Sequence, residues 1–255
     1  MTKAGPTYED YVRDSTFLDG YHDYQKRYAG KIRESDRVII EIVHALVGDQ
    51  PEGKRVLDVG CSTGNLLLHL RNTIPGLVLT GGDMGLGAIE TCKSNPELAG
   101  IAFEEMNALA VGHREEFDVV LISAVLGIFE NDGFEQSVAS LGAALRPGGS
   151  LVAFDWFHPF EQDLAILETS RTHPNGMMLH FRPQAMARRV LQANGFASVE
   201  FRPFQIPIDL PRPEDPGDVG TYTVPTAAGE RLLFRGALAQ PWCHLVARKA
   251  GGPTR

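Results

Sequence analysis

The sequence predicts an α/β fold built on a mostly parallel sheet. Residues 56–59 form a short apolar run around Asp58, which is typical of a buried parallel strand. A turn bracketed by Gly60 and Gly64 follows, and residues 66–70 begin an apolar helical pattern. Residues 117–126 are nearly all apolar, as expected of a central strand. Because strand, glycine turn and helix in this order aim backbone N–H groups at a ligand, the turn is the first candidate binding site.

Composition limits the kinds of partner. A chain of 255 residues is long enough for one sizeable domain, or a domain with a cap. The net charge of −8 argues against nucleic acid or an anionic membrane as the main partner. Three widely spaced cysteines indicate free thiols in a reducing compartment. The N-terminus lacks an apolar signal segment, and no run approaches the ~18 apolar residues of a membrane span, so we expect a cytoplasmic protein.

The run Leu-Asp-Val-Gly-Cys-Ser-Thr-Gly at residues 57–64 resembles motif I of the class I S-adenosylmethionine (SAM) dependent methyltransferases. The usual loop of that family is Asp/Glu-x-Gly-x-Gly-x-Gly, so this chain departs from it by carrying Ser62 at the middle glycine. The resemblance implies SAM as cofactor and S-adenosylhomocysteine as product. It places five residues of this segment at the cofactor: Asp58, Gly60, Cys61, Ser62 and Gly64.

Further residues follow the next three strands. Asp83 ends the second strand, residues 77–84, a little over twenty residues after Gly60, which is the spacing of a carboxylate that accepts hydrogen bonds from ribose hydroxyls. The resemblance further implies that Met84 packs on the adenine face. It also implies that Asn107 and Ala108, at the exit of the third strand (101–109), bind the adenine edge. Ser123 lies in the fourth strand and completes the predicted cofactor contacts.

The resemblance also implies the complete fold. We expect a doubly wound, seven-stranded sheet of order 3-2-1-4-5-7-6 with the last strand antiparallel. An Arg-Pro-Gly-Gly turn at 146–149 precedes the fifth strand, a helix spans 184–193, and the last two strands are 196–201 and 242–248. Residues 1–48 are expected to form an N-terminal helical cap, and residues 49–255 the SAM-binding domain.

Two regions are expected to close over the site. The first is the N-terminal cap, and Asp36 is expected to begin its last helix. Tyr24, Tyr28 and Arg33 of the cap are expected near the SAM carboxylate or the substrate. The alternative is a surface helix with aromatic contacts. The second region is a proline-rich insertion, residues 203–240, in which 221–224 and 232–234 are predicted short strands. The insertion is expected to be a substrate-side lid, and the alternative is an arm through which a homodimer forms.

The catalytic residues are less clearly marked than the cofactor loop. Many relatives that methylate small molecules carry a histidine soon after the fourth strand, and residues 124–132 contain none. Asp155 and His158 end the fifth strand, where ligands sit in open α/β sheets. We therefore expect His158 to act as general base, oriented by Asp155 or Glu161; the alternative is a packed histidine. No histidine spacing suggests a metal site.

These observations predict a SAM-dependent methyltransferase acting on a small molecule, with an oxygen nucleophile of a sugar or natural-product hydroxyl as acceptor. Three alternatives stay open. In the first, the methyl group goes to a carboxylate or a nitrogen instead of a hydroxyl. In the second, the chain is a catalytically inactive SAM-fold partner protein. A nicotinamide oxidoreductase is the third, disfavoured because the loop is not Gly-x-Gly-x-x-Gly and because Asp58 would repel a pyrophosphate.

Overall fold

A computed structural model describes residues 31–171 and 173–252, and its centre is a twisted sheet of seven main strands. The strands run in the spatial order β3-β2-β1-β4-β5-β12-β8. Because β8 and β12 are the sixth and seventh main strands along the chain, this confirms the predicted order 3-2-1-4-5-7-6. β12 is antiparallel to both of its neighbours, also as predicted. The bounds are β1 Arg55–Val59, β2 Val78–Asp83, β3 Ala102–Glu105, β4 Phe117–Ser123, β5 Leu145–His158, β8 Phe196–Pro203 and β12 Trp242–Lys249.

Helices cover both faces of the sheet because its parallel strands are apolar on both sides. One core cluster joins the strands to α1 (Glu34–Val47), α2 (Asn65–Thr73) and α3 (Leu86–Ser94). The other core cluster joins the strands to α4 (Asn131–Ala144) and α5 (Gln184–Ala193). The bounds of α5 are those predicted from the sequence. The sheet is therefore doubly wound, and the carboxyl ends of β1, β2, β4 and β5 meet at one edge.

Two local predictions were wrong. Helix α1 begins at Glu34, and Asp36 does not cap it; the Asp36 carboxylate lies inside the first turn and accepts a hydrogen bond from Arg33 Nε at 2.9 Å. The segment 146–149 is not a turn before the fifth strand, because β5 already starts at Leu145. The pairing of β4 with β5 shifts register here, and Gly148, at φ 78°, absorbs the irregularity.

A hairpin that the sequence did not predict extends the sheet beyond β5. Its strands are β6 (Leu164–Glu168) and β7 (Met177–Pro183), which pair antiparallel. β7 also pairs in parallel with the last two residues of β5, so that Phe157 lies opposite Arg182 and His158 opposite Pro183. The hairpin thus stands over the carboxyl end of the sheet, next to the predicted site.

The proline-rich insertion carries its own small sheet and docks on this hairpin. Its antiparallel strands are β9 (Thr221–Pro225), β10 (Arg231–Arg235) and β11 (Leu238–Ala239), of which the first two were predicted. Arg235 Nη2 donates to Glu168 Oε1 at 3.0 Å, and Leu238 packs on the apolar cluster around Trp156. The lid and homodimer roles stay predictions, as do the domain boundaries, and Tyr24 and Tyr28 lie outside the described residues.

Candidate functional site

The loop after β1 has a left-handed backbone at three positions. Gly60 has φ 79°, Ser62 φ 49° and Gly64 φ 75°. A Cβ on Gly60 would lie 2.6 Å from Val125 Cγ2, so a larger residue would displace the Val125 side chain as well as adopt a strained left-handed φ. Ser62 occupies the position where the family motif has its middle glycine, and its φ shows why glycine is usual there. The backbone N–H groups of Gly60 and Cys61 donate to Gly82 O, at 2.7 and 3.0 Å, which fixes the loop against β2.

Asp83, at the end of β2, is held by the same loop. Its Oδ2 accepts from the backbone N–H of Ser62 at 2.9 Å, and its Oδ1 accepts from that of Gly85 at 2.8 Å. Each carboxylate oxygen keeps a further lone pair. The side chain is half-buried and fixed in orientation, and it is able to accept two hydrogen bonds from a vicinal diol.

A small cleft opens at the carboxyl ends of β1 and β4. Six predicted residues line it, namely Arg33, Asp58, Gly60, Cys61, Ser62 and Ser123. Four lining residues were not predicted, namely Thr63, Asn65, Leu66 and Ala124. Three of these belong to the loop or to the start of α2, so the motif itself was the signal that could have identified them.

The electrostatics of the cleft suit a cationic ligand group. Asp58, on β1, is 3% exposed, and its burial raises the pKa of its carboxyl to about 7. The negative charges of Asp36 and Asp83 also raise this pKa, whereas the positive charge of Arg33 lowers it. The site therefore holds more acid than base within the described residues. A cation that entered the cleft would favour the ionised form of Asp58.

The predicted adenine-binding residues lie beside this cleft but do not line it. Asn107 Oδ1 accepts the backbone N–H of Leu109 at 2.9 Å, and Met106 N donates to Asp83 O at 2.9 Å, which joins this turn to β2. Met84 and Asn107 are half-buried, and Ala108 is buried. Contacts of these three residues with adenine stay predictions.

The thiol in the loop is not an activated nucleophile. A hydrogen bond with Cys92 and burial both raise the pKa of the Cys61 thiol. Cys92 Sγ lies 3.1 Å from Ser62 O, so its thiol donates to the loop backbone. In the described parts of the chain, no three His, Cys, Asp or Glu side chains are grouped as metal ligands.

Asp155 and His158 do not form the predicted pair. The Asp155 carboxylate is buried and accepts the backbone N–H groups of Gly127 and Trp156, each at 2.9 Å. Burial raises its pKa to about 6, while those two hydrogen bonds and the charge of Arg182 lower it. His158 instead bonds Phe181 O at 3.2 Å through Nε2. Residues three apart on a strand point to opposite faces, which is the physical reason for the separation; Glu161 is exposed.

The bond to Phe181 defines the tautomer of His158. A carbonyl only accepts, so Nε2 carries the proton, and Nδ1 of the neutral ring keeps a lone pair. Nδ1 is buried and has no hydrogen-bond partner among the described residues. The same is true of Trp156 Nε1, on the same face of β5 two residues earlier. No pattern in the sequence indicated this arrangement, because β7, which supplies Phe181, was not predicted.

Comparison with known proteins identifies related chains. A family model described as a methyltransferase domain matches residues 28–200. The fatty-acid O-methyltransferase of Mycolicibacterium smegmatis is 28% identical over 147 residues, which are 56% of this chain and 53% of the relative. The demethylmenaquinone methyltransferase of Thermus thermophilus is 31% identical over 109 residues, 42% of this chain and 49% of the relative. The matched region thus spans about half the length of these curated relatives.

Two solved structures share the fold. The 1,6-didemethyltoxoflavin-N1-methyltransferase of Burkholderia thailandensis, solved with its substrate and S-adenosylhomocysteine, has a TM-score of 0.60 at 19% identity and covers 98% of this chain and 92% of its own. A SAM-dependent methyltransferase of Methanosarcina mazei has a TM-score of 0.59 at 17% identity, and the match covers 83% of this chain and 98% of that one.

In the described part of the chain, every helix is too short or too polar to cross a membrane.

Proposed function

The chain belongs to the class I SAM-dependent methyltransferases, and from that premise we propose that it transfers the methyl group of SAM to a hydroxyl of a small molecule. The cleft supports SAM as cofactor by three features. It has a glycine loop with a left-handed backbone and a buried acid that suits a positively charged group, and beside the cleft the loop holds the Asp83 carboxylate, which suits a ribose diol. The net charge of −8 favours a small molecule over a nucleic acid as acceptor.

The residues divide among the parts of the cofactor. Asp83 accepts the ribose hydroxyls, and Met84, Asn107 and Ala108 surround the adenine. The loop from Gly60 to Gly64, with Asp58, Arg33 and Ser123, holds the amino-acid end; the guanidinium of Arg33 suits the carboxylate, as does the phenol of Tyr28. When bound, SAM supplies an electrophilic methyl group. The chain itself must align the acceptor with that group and remove the proton of the acceptor.

One observation carries the assignment of a hydroxyl acceptor, namely the lone pair of His158 Nδ1. Phe181 O holds the ring in the tautomer in which Nδ1 is the base, as the carboxylate or carbonyl partner of many catalytic histidines does. Nδ1 and the Trp156 indole N–H are buried, unpartnered groups on one face of β5, and neither residue lines the cofactor cleft; we propose that Nδ1 accepts the proton of a hydroxyl that reaches this face. With SAM bound, formation of the oxygen–methyl bond would be matched by cleavage of the methyl–sulfur bond, which releases S-adenosylhomocysteine, and the proton of the hydroxyl would pass to Nδ1. A carboxylate acceptor would need no base, so this arrangement favours a hydroxyl.

The test is release of S-adenosylhomocysteine during incubation with SAM and a panel of phenols, sugars, fatty acids and primary amines. We expect turnover with a hydroxyl compound. In His158→Ala, kcat should fall by about 100- to 10,000-fold, the range of general-base catalysis, with the affinity for S-adenosylhomocysteine unchanged. The exposed His44 supplies a matched control, His44→Ala, with wild-type kcat. Turnover confined to fatty acids or amines, or a kcat reduced less than threefold in His158→Ala, would contradict the proposal.

A further inference from the structure

Arg182, on β7, is almost completely enclosed at 1% exposure and serves the segment that leaves β4. Its Nη1 donates to Leu126 O at 2.9 Å and its Nη2 to Phe129 O, while Nε donates to Asn131 Oδ1 at 3.2 Å. The guanidinium also lies over the ring of Phe134, at 4.6 Å from its centre. One side chain of the unpredicted hairpin thus binds two carbonyls on either side of the 3₁₀ turn Leu126–Ile128.

Asp155 fixes the same turn from β5. Its Oδ2 accepts the backbone N–H of Gly127 at 2.9 Å. A Cβ on Gly127 would lie 2.6 Å from Asp155 Oδ1 and 2.7 Å from the ring of Trp156, so the turn is packed directly onto these side chains. Burial lowers the pKa of Arg182 to about 10, which leaves the guanidinium charged at neutral pH opposite Asp155. The turn is therefore held by a cation at its carbonyls and an anion at its N–H.

The residues just before this turn form part of the cofactor cleft. Ser123 and Ala124 line the cleft, and Ala124 has a left-handed φ of 56°. Its N–H donates to Phe154 O at 2.8 Å. Val125 then fills the space beside Gly60, where a Cβ would lie 2.6 Å from Val125 Cγ2. A shift of the turn would consequently move both the wall of the cleft and the loop that faces it.

We propose that Arg182 is a positioning residue for the cofactor cleft. By holding the carbonyls of residues 126 and 129, it fixes residues 124 and 125 against Gly60, so that the β6–β7 hairpin contributes to cofactor affinity without touching the cofactor. The planar guanidinium donates in three fixed directions, which a lysine ammonium on a flexible stem does not reproduce. This inference rests on the proposed function, because it takes the cleft to be the SAM site.

The test compares Arg182→Met with a matched control. Arg188, on α5, also donates to a backbone carbonyl, Val199 O, and also lies over an aromatic ring, Phe201, but it contacts neither the turn nor the cleft. Binding of S-adenosylhomocysteine is measured by calorimetry on each variant, with circular dichroism and thermal unfolding to confirm folding. We expect at least tenfold weaker binding in Arg182→Met, an intermediate loss in Arg182→Lys, and a change within twofold in Arg188→Met.

Folded Arg182→Met that binds S-adenosylhomocysteine within twofold of wild type would overturn the inference, and so would equal losses in the Arg182 and Arg188 variants. Should Arg182→Met fail to fold, Gly127→Ala displaces the turn while keeping Arg182. A loss of at least tenfold in that variant supports the inference, and unchanged binding overturns it. A wild-type protein that does not bind S-adenosylhomocysteine at all would overturn the proposed function instead, together with the inference that rests on it.

Discussion

At the scale of single residues, Asp58 combines a cost in stability with the role in cofactor binding that we propose for it. Its carboxyl has a pKa of about 7 in the folded protein, whereas an unfolded aspartate has its ordinary pKa near 4. Between these values the folded chain binds the proton more tightly than the unfolded chain. The free energy of unfolding therefore falls as pH rises through this window, and the cost is complete above about pH 7.

Asp58→Asn should remove that cost and weaken cofactor binding together. We expect the variant to unfold at a urea concentration close to that of wild type at pH 4, and to be more stable by on the order of 2–4 kcal/mol at pH 8. Its affinity for SAM at pH 7.5 should fall at least tenfold. The exposed Asp49 gives the control Asp49→Asn, with neither effect. A less stable variant at pH 8 with wild-type SAM affinity would show that Asp58 has neither role.

The loop residues were predictable because they follow one another in the chain. Gly60, Ser62 and Gly64 occupy the positions of the motif, and the spacing to Asp83 reflects a single helix and strand. The pairing of Asp155 with His158 failed for the opposite reason. Its geometry depends on which face of β5 each side chain takes and on Phe181, which lies on a separate strand.

At the scale of elements, the insertion is fixed to the β6–β7 hairpin by a largely buried ionic contact. Arg235 and Glu168 have side chains 21% and 15% exposed, and His173 Nδ1 lies 3.6 Å from the same Glu168 oxygen. A second contact between these regions, Arg171 with Asp215, has side chains 68% and 55% exposed. Solvent screens an exposed pair far more than a buried one.

These two contacts should differ when they are removed. Arg235→Ala should lower the free energy of unfolding by about 1.5–3 kcal/mol, because it removes a charged donor from the largely buried Glu168 carboxylate, and it should speed amide hydrogen exchange in β9 and β10. Arg171→Ala serves as the matched control, with stability and exchange close to wild type. Similar behaviour of the two variants would contradict the assignment of Arg235 as the anchor of the insertion.

The main strands were predictable from their composition, whereas the hairpin was not. Strands β1 and β4 are mostly apolar, apart from their ends and the aspartates Asp58 and Asp118, and both are largely buried on each face. β6 is short and mostly exposed, and β7 carries His180 and Arg182 in buried positions. The buried Arg182 is tolerated because the segment after β4 satisfies its guanidinium, and no pattern along the chain reveals that contact.

At the scale of the whole molecule, the cofactor side and the acceptor side are built differently. The cofactor side uses strands and loops common to the family, and the chain matches the family model over residues 28–200. That range includes the β6–β7 hairpin, whereas the small sheet of the insertion lies outside it, and we propose that both face the acceptor. The sequence therefore specified the cofactor more clearly than the acceptor, and the N-terminal cap and the homodimer stay predictions.

The most direct test of the central claim is calorimetric titration of the purified chain with SAM and with S-adenosylhomocysteine, with NAD as the control ligand. We predict micromolar binding of both sulfur nucleosides and none of NAD. Asp83→Ala should abolish binding, because it removes the carboxylate that the loop holds towards the ribose. Absence of binding by both nucleosides, or a clear signal with NAD, would contradict the assignment of the cleft as a SAM site.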